Sequence, residues 1–140
     1  MQGFWKHWMI AWFVFGMAFA IVLALAAWPP ADGITRPILG LIAGDAHPSS
    51  IFDPMPMRFA IGLQGALSLG WLLTMMIAMR AADRLGAQIW REITAAISVW
   101  YVVDCAISLG AGFPLNAVSN TILIIGYLIP VLGSGVLSGA

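Results

Sequence analysis

Apolar residues fall into four long runs, and every charged residue of the chain except Asp104 lies outside them. About 30 Å of hydrocarbon at a 1.5 Å rise per residue calls for about 20 apolar residues in a helix, and each run meets that length. None of the runs alternates apolar and polar positions as a barrel strand does, and lipid offers nothing to an unpaired backbone, so each run must be helical. The pattern predicts an all-α polytopic membrane protein. Four transmembrane helices over residues 9–28, 59–79, 93–112 and 117–137 would form an antiparallel bundle, a single transmembrane domain covering 1–140.

The first run could instead be a cleaved leader, since Lys6 precedes it and Ala24-Leu25-Ala26 has a small-x-small pattern. It exceeds the roughly 7–15 residues of a leader's apolar segment, and Trp5, Trp8, Trp12 and Trp28 are placed as interface anchors of a retained span. Between the first two spans, Pro29, Pro30, Pro37, Pro48, Pro54 and Pro56 forbid a long helix and predict a long Pro-rich outer loop. Within it, residues 34–43 are apolar enough for a short interfacial helix, with a re-entrant turn as the rival.

Composition agrees with this reading: 61% of the residues are hydrophobic and 9% charged, against roughly 25% charged in a soluble domain. Six basic residues balance six acidic ones, so no basic field exists to hold nucleic acid. Lys6, Arg80, Arg84 and Arg91 flank one side of the predicted spans and Arg36 and Arg58 the other, which places both termini in the cytoplasm. Cys105 is the sole cysteine, so no disulfide or Cys-x-x-Cys site can form within the chain. No phosphate loop, zinc helix or nucleophile elbow occurs. Trp71, Trp100, Met75, Met76 and Met79 read as packing rather than a cofactor box, and no cofactor is expected.

Small residues recur every four positions at Gly62, Ala66, Gly70, Thr74 and Ala78, and again at Thr94, Ser98, Ala106 and Gly110, a stripe interrupted by Val102. Such stripes let helix backbones approach closely, and the second and third spans are expected to nest along them inside the bundle. Pro130 lacks an N–H, so it should kink the fourth span and free the carbonyl of Gly126.

A carboxylate in mid-span costs about 2.5–3.5 kcal/mol on insertion scales, which makes Asp104 the one residue composition does not excuse. The stripe Glu92, Ala96, Trp100, Asp104, Ser108 should face protein. Counting from the outer interface puts Asp104 about 12 Å, Gln64 about 9 Å and Asn120 about 6 Å deep. Asp104, Gln64 and Asn120, with Asn116, Ser108 or Ser119 nearby, are therefore expected to form one buried polar cluster, with Arg58 at its mouth. The cluster reads either as an interhelical clamp or as a site for a proton, cation or polar ligand. Asp45, His47 and Asp53 are weak metal candidates, since their spacing matches no standard ligand motif.

The segments RFAIGLQGALSLGW, WYVVDCAISLGAGFPLNAVSNT and YLIPVL resemble small bacterial inner-membrane proteins with four helices, and in overall plan the DoxX-like group. That resemblance implies a multi-pass protein of the bacterial inner membrane and carries over no catalytic or binding residue. The expected function is a non-enzymatic accessory or assembly subunit whose partners are the lipid bilayer and another membrane protein or a second copy of itself. The alternatives are a transporter or channel component acting at Asp104, and a membrane enzyme working on a lipid-like substrate.

Overall fold

Helix bounds follow the prolines and glycines in a computed structural model that describes residues 1–44 and 49–138. Its five α-helices are α1 (Gly3–Leu25), α2 (Thr35–Ala43), α3 (Met55–Leu85), α4 (Ala87–Gly110) and α5 (Pro114–Gly133). Four of them, all but α2, are long and apolar enough to cross a membrane. α1 stops at Leu25, short of the expected 28, because the consecutive Pro29 and Pro30 cannot continue a helix and start a 3-10 turn instead. α3 has Pro56 in its first turn, where a missing N–H costs nothing. It runs to Leu85, where Gly86 at φ +97° takes the left-handed conformation that ends it. At 31 residues α3 is about 46 Å long, so its polar last turns extend past a hydrocarbon layer of about 30 Å.

The four long helices form a ring in which α1 packs on α3 and α5, and α4 packs on α3 and α5. The start of α1, the α3–α4 turn and the end of α5 share one end of the ring. There the Met1 amine meets Asp83 at 2.8 Å, and the Nε of Arg91 donates to the Leu137 carbonyl at 2.8 Å. The core runs through the ring as Met9, Phe13, Leu72, Met79, Ile93, Ile97, Ile124, Tyr127 and Val131. Trp71 and Trp100 meet across α3 and α4 with ring centroids 5.7 Å apart.

The closest helix approach is not the expected one. Gly62 and Gly65 press α3 onto α1, where a Cβ at Gly62 would lie 2.8 Å from the Ala27 Cβ and one at Gly65 would lie 2.6 Å from the Ala20 carbonyl oxygen. Ala66, Gly70 and Thr74 are exposed instead, and a Cβ at Gly70 would meet nothing. The reason is angular: steps of four advance 40° each around a 3.6-residue helix and drift off any straight face. The inward face of α3 alternates steps of four and three through Arg58, Gly62, Gly65, Leu69, Leu72, Met76 and Met79. On α4, Ala106 and Gly110 are exposed too, so the nesting of the two stripes does not occur.

Residues 34–43 do form a helix, apart from Ile34, which flanks it. The buried residues of α2 are Thr35, Leu39 and Ala43, one face at four-residue spacing. Thr35 donates its hydroxyl to the Val22 carbonyl at 2.7 Å, which ties α2 to the last turns of α1. Ile34 and Leu41 point away and are exposed.

Candidate functional site

Asp104 sits six residues before the end of α4, facing the first turns of α5. α5 opens at Pro114, which places Asn116 and Asn120 one turn apart on the same side of the helix. Their Nδ2 groups donate to Asp104 Oδ1 at 3.1 and 2.6 Å. Ser108, one turn along α4, donates to the same oxygen at 3.2 Å and to the Asp104 carbonyl at 2.7 Å, and Asn116 donates to the Ser108 hydroxyl at 2.8 Å. Asn120 and Ser108 are buried, at 5% and 4% exposure. All three donors converge on Oδ1; among the described residues none donates to Oδ2. The carboxyl group therefore staples α4 to α5 through one oxygen.

Three of the residues expected around Asp104 lie elsewhere. Gln64 is exposed on α3 and donates only to Ser68, at 3.5 Å. It precedes Gly65 by one residue, so it is turned 100° from the face that meets α1; equal depth did not imply a shared azimuth. Ser119 is exposed and donates to the Leu115 carbonyl of its own helix at 3.0 Å. Arg58 is engaged by carboxylates at the loop end, where its Nη1 pairs with Asp32 Oδ2 at 2.7 Å. It does not stand at the mouth of the Asp104 cluster.

The α4–α5 seam carries further polar pairs that the sequence reading missed. Tyr101 and Thr121 hydroxyls lie 3.0 Å apart, and those of Thr94 and Tyr127 lie 2.9 Å apart. With Asp104 they form three rungs whose α4 residues, 94, 101 and 104, stand at i, i+7 and i+10 on one helix face, which is the signal that could have found them. Cys105 lies on the same seam, with Sγ 3.8 Å from the Ala117 carbonyl.

A second polar centre joins the connecting segment to the helices. Arg58, nearly buried, donates through Nη1 to Asp32 and to the Ala26 carbonyl at 3.3 Å, and through Nε to the Asp53 carbonyl at 3.1 Å. Arg36 bridges Asp32 at 3.0 Å and the Asp53 carboxylate at 2.7 Å. A guanidinium over the last carbonyls of α1 also complements that helix end. The Arg58 hydrogen bond, more than any other contact, holds the Asp32 carboxyl below its ordinary value against the opposing effect of burial, and Arg36 adds to it. Arg36 is itself held above its ordinary value, chiefly by Asp53. Asp32 has no periodic signature in the sequence, and only its place between the end of α1 and the start of α2 could have suggested it.

The α1 tryptophans are seam residues as well as interface residues. Trp8 and Trp12 donate their indole N–H groups to the Gly126 and Leu123 carbonyls of α5, at 2.9 and 3.0 Å. Trp5 covers Gly133, where a Cβ would lie 2.6 Å from its ring.

Of the weak metal candidates, Asp45 and His47 lie outside the described residues, and the Asp53 carboxylate is bonded to Arg36. Among the described residues no three His, Cys, Asp or Glu side chains gather as a metal site.

Comparison with known protein families, with curated proteins and with solved structures returns no match for this chain. No family match stands behind the resemblance to bacterial inner-membrane proteins or to the DoxX-like group. The fold itself defines a small, all-helical, multi-pass membrane protein.

Proposed function

We propose that the chain is a non-enzymatic accessory or assembly subunit of a membrane complex. The observation that carries this reading is the engagement of Asp104 Oδ1 by Asn116, Asn120 and Ser108. Asp104, the one carboxylate within the four apolar runs of the sequence, serves as an interhelical clamp, as do the Tyr101–Thr121 and Thr94–Tyr127 pairs. What the molecule offers its surroundings is apolar helix surface, such as Phe15, Leu67, Ile77, Val99 and Ile122. The four helices form an antiparallel bundle in a bacterial inner membrane, with both termini cytoplasmic. Lys6, Arg80, Arg84 and Arg91 at one end against Arg36 and Arg58 at the other support that orientation.

One observation favours a second reading, in which Asp104 binds a proton or small cation: its Oδ2 accepts from no described donor. Reconstitution into liposomes separates the two. An assembly subunit gives no proton or sodium flux above that of empty vesicles, and in native membranes solubilised in mild detergent it migrates in a particle larger than that formed by the purified 15.0 kDa chain in the same detergent. Flux that vanishes in Asp104→Asn overturns the assembly reading in favour of transport.

A further inference from the structure

Close contacts fix how α1 and α3 are paired along their length. A Cβ at Gly62 would lie 2.8 Å from the Ala27 Cβ and 3.4 Å from the Ala24 carbonyl oxygen, and one at Gly16 would lie 3.1 Å from the Leu72 side chain. The same seam ends where the Met1 amine meets Asp83. Counting 18 residues, from Ala24 back to Lys6 and from Gly62 on to Arg80, covers five full turns of each helix. Lys6 and Arg80 therefore stand level with each other on the sides where α1 and α3 meet. Arg84 follows Arg80 by one turn on the same side.

Three cations thus share one seam, and no carboxylate answers them. All three side chains are exposed. Arg80 points one nitrogen at the Met76 sulfur of its own helix, at 3.7 Å. Among the described residues neither it nor Lys6 nor Arg84 has an ion pair. The two acidic residues of this end are engaged elsewhere, Asp83 by the Met1 amine at 2.8 Å and Glu92, on α4, by the Gln88 amide at 3.1 Å. Lys6 lies just before the first apolar run, which opens at Met9, and Arg80 directly follows the second, which closes at Met79. In a bilayer spanned by those runs, the three charged heads lie at the depth of the lipid phosphates, with their alkyl stems along the helices.

Charge selects what can sit here. Like charges held together repel, and an anion placed among them removes that cost where a neutral or cationic group does not. We propose that Lys6, Arg80 and Arg84 form a binding site for the headgroup of an anionic phospholipid. The two guanidinium groups supply forked N–H donors to the phosphate, and Lys6 supplies a point charge. This inference rests on the membrane placement of the helices and is independent of the assembly function.

The test uses the full chain, purified in detergent and stripped of lipid. It is titrated with phosphatidylglycerol or with phosphatidylcholine, and bound lipid is counted by native mass spectrometry. Phosphatidylglycerol should bind several-fold more tightly than phosphatidylcholine. Lys6→Gln and Arg80→Gln should each weaken it about five-fold, the ordinary worth of one basic residue against anionic lipid, and Lys6→Arg should retain it. Arg91→Gln takes the same charge from α4 at the same end and should leave binding unchanged. All of these side chains are exposed, so helix content by circular dichroism should stay that of the wild type. Equal affinity for the two lipids overturns the proposal. So does an Arg91→Gln chain that weakens as much as Arg80→Gln, which would make the attraction a property of the whole end. Displacement of phosphatidylglycerol by an equal concentration of inorganic phosphate would assign the site to the free anion and overturn the lipid equally.

Discussion

The indole Nε1 of Trp8 donates at 2.9 Å to the carbonyl oxygen of Gly126, the residue four positions before Pro130. In an unbroken helix that oxygen would accept from the N–H of residue 130, which proline lacks. A side chain from α1 thus supplies the bond that α5 cannot make for itself, and the neighbouring Trp12 ring packs where Gly126 has left room.

This relationship predicts a conditional stability effect. Trp8→Phe keeps the aromatic bulk and removes the donor, and should cost about 1 kcal/mol, within the range of interhelical hydrogen bonds measured in membranes. In a Pro130→Ala background the helix donor returns and the same substitution should cost markedly less. Unfolding titrations in mixed micelles of the four chains give the coupling as a double-mutant cycle.

Asp104→Asn should leave the helices assembled, because an amide oxygen can still accept from Asn116, Asn120 and Ser108. Asp104→Leu strands the Nδ2 donor of the buried Asn120, while Ser108 keeps the residue-104 carbonyl and Asn116 keeps the Ser108 hydroxyl, and should destabilise by about 1–3 kcal/mol. The same micelle titration ranks the two; equal losses would mean that the carboxylate holds nothing.

The loop-end ion cluster should respond to acid in one direction only. Unfolded, Asp32 titrates near 3.8, and folded it titrates lower, so its contribution is complete above that value and is lost as pH falls through the folded value. Arg36 is held above its ordinary value, chiefly by Asp53, and stays cationic throughout. Thermal unfolding followed from pH 7 to pH 2.5 should be level to about pH 4 as far as this group is concerned, then fall. Asp32→Asn should remove that acid step, and Arg58→Ala should destabilise more than Arg36→Ala, since Arg58 is the buried partner.

Two glycines of α3 should behave oppositely. Gly65→Ala drives a methyl group into the backbone of Ala20 and Ala24 and should cost about 1–3 kcal/mol by forcing α1 and α3 apart. Gly70→Ala meets open space and should be neutral or stabilising by about 0.5–1 kcal/mol, the helix-propensity difference. Chemical denaturation of the two single variants checks the contrast.

What the sequence disclosed, and what it hid, follow from one distinction. Apolar run length reports helix existence directly, so the four long apolar helices were legible, and counting along them brought Asp104 level with Asn116 and Asn120 of the next helix and one turn from Ser108. Azimuth was not. Gln64 shares a level with the cluster yet points elsewhere, and the four-residue stripe from Gly62 to Ala78 winds off the face it starts on. Long-range pairing in the proline-rich segment was equally hidden, since nothing local to Asp32 announces that Arg58, 26 positions on, will reach it. The tryptophans were misread in emphasis: interface enrichment explains an indole near a helix end, but not which carbonyl its N–H selects.

The two indoles bonded to α5 also give the protein an internal optical gauge. Any straightening or sliding of α5 must change the polarity felt by Trp8 and Trp12 before it changes helix content. The difference in emission between the native chain and its Trp8→Phe variant therefore reports on that motion without an added dye.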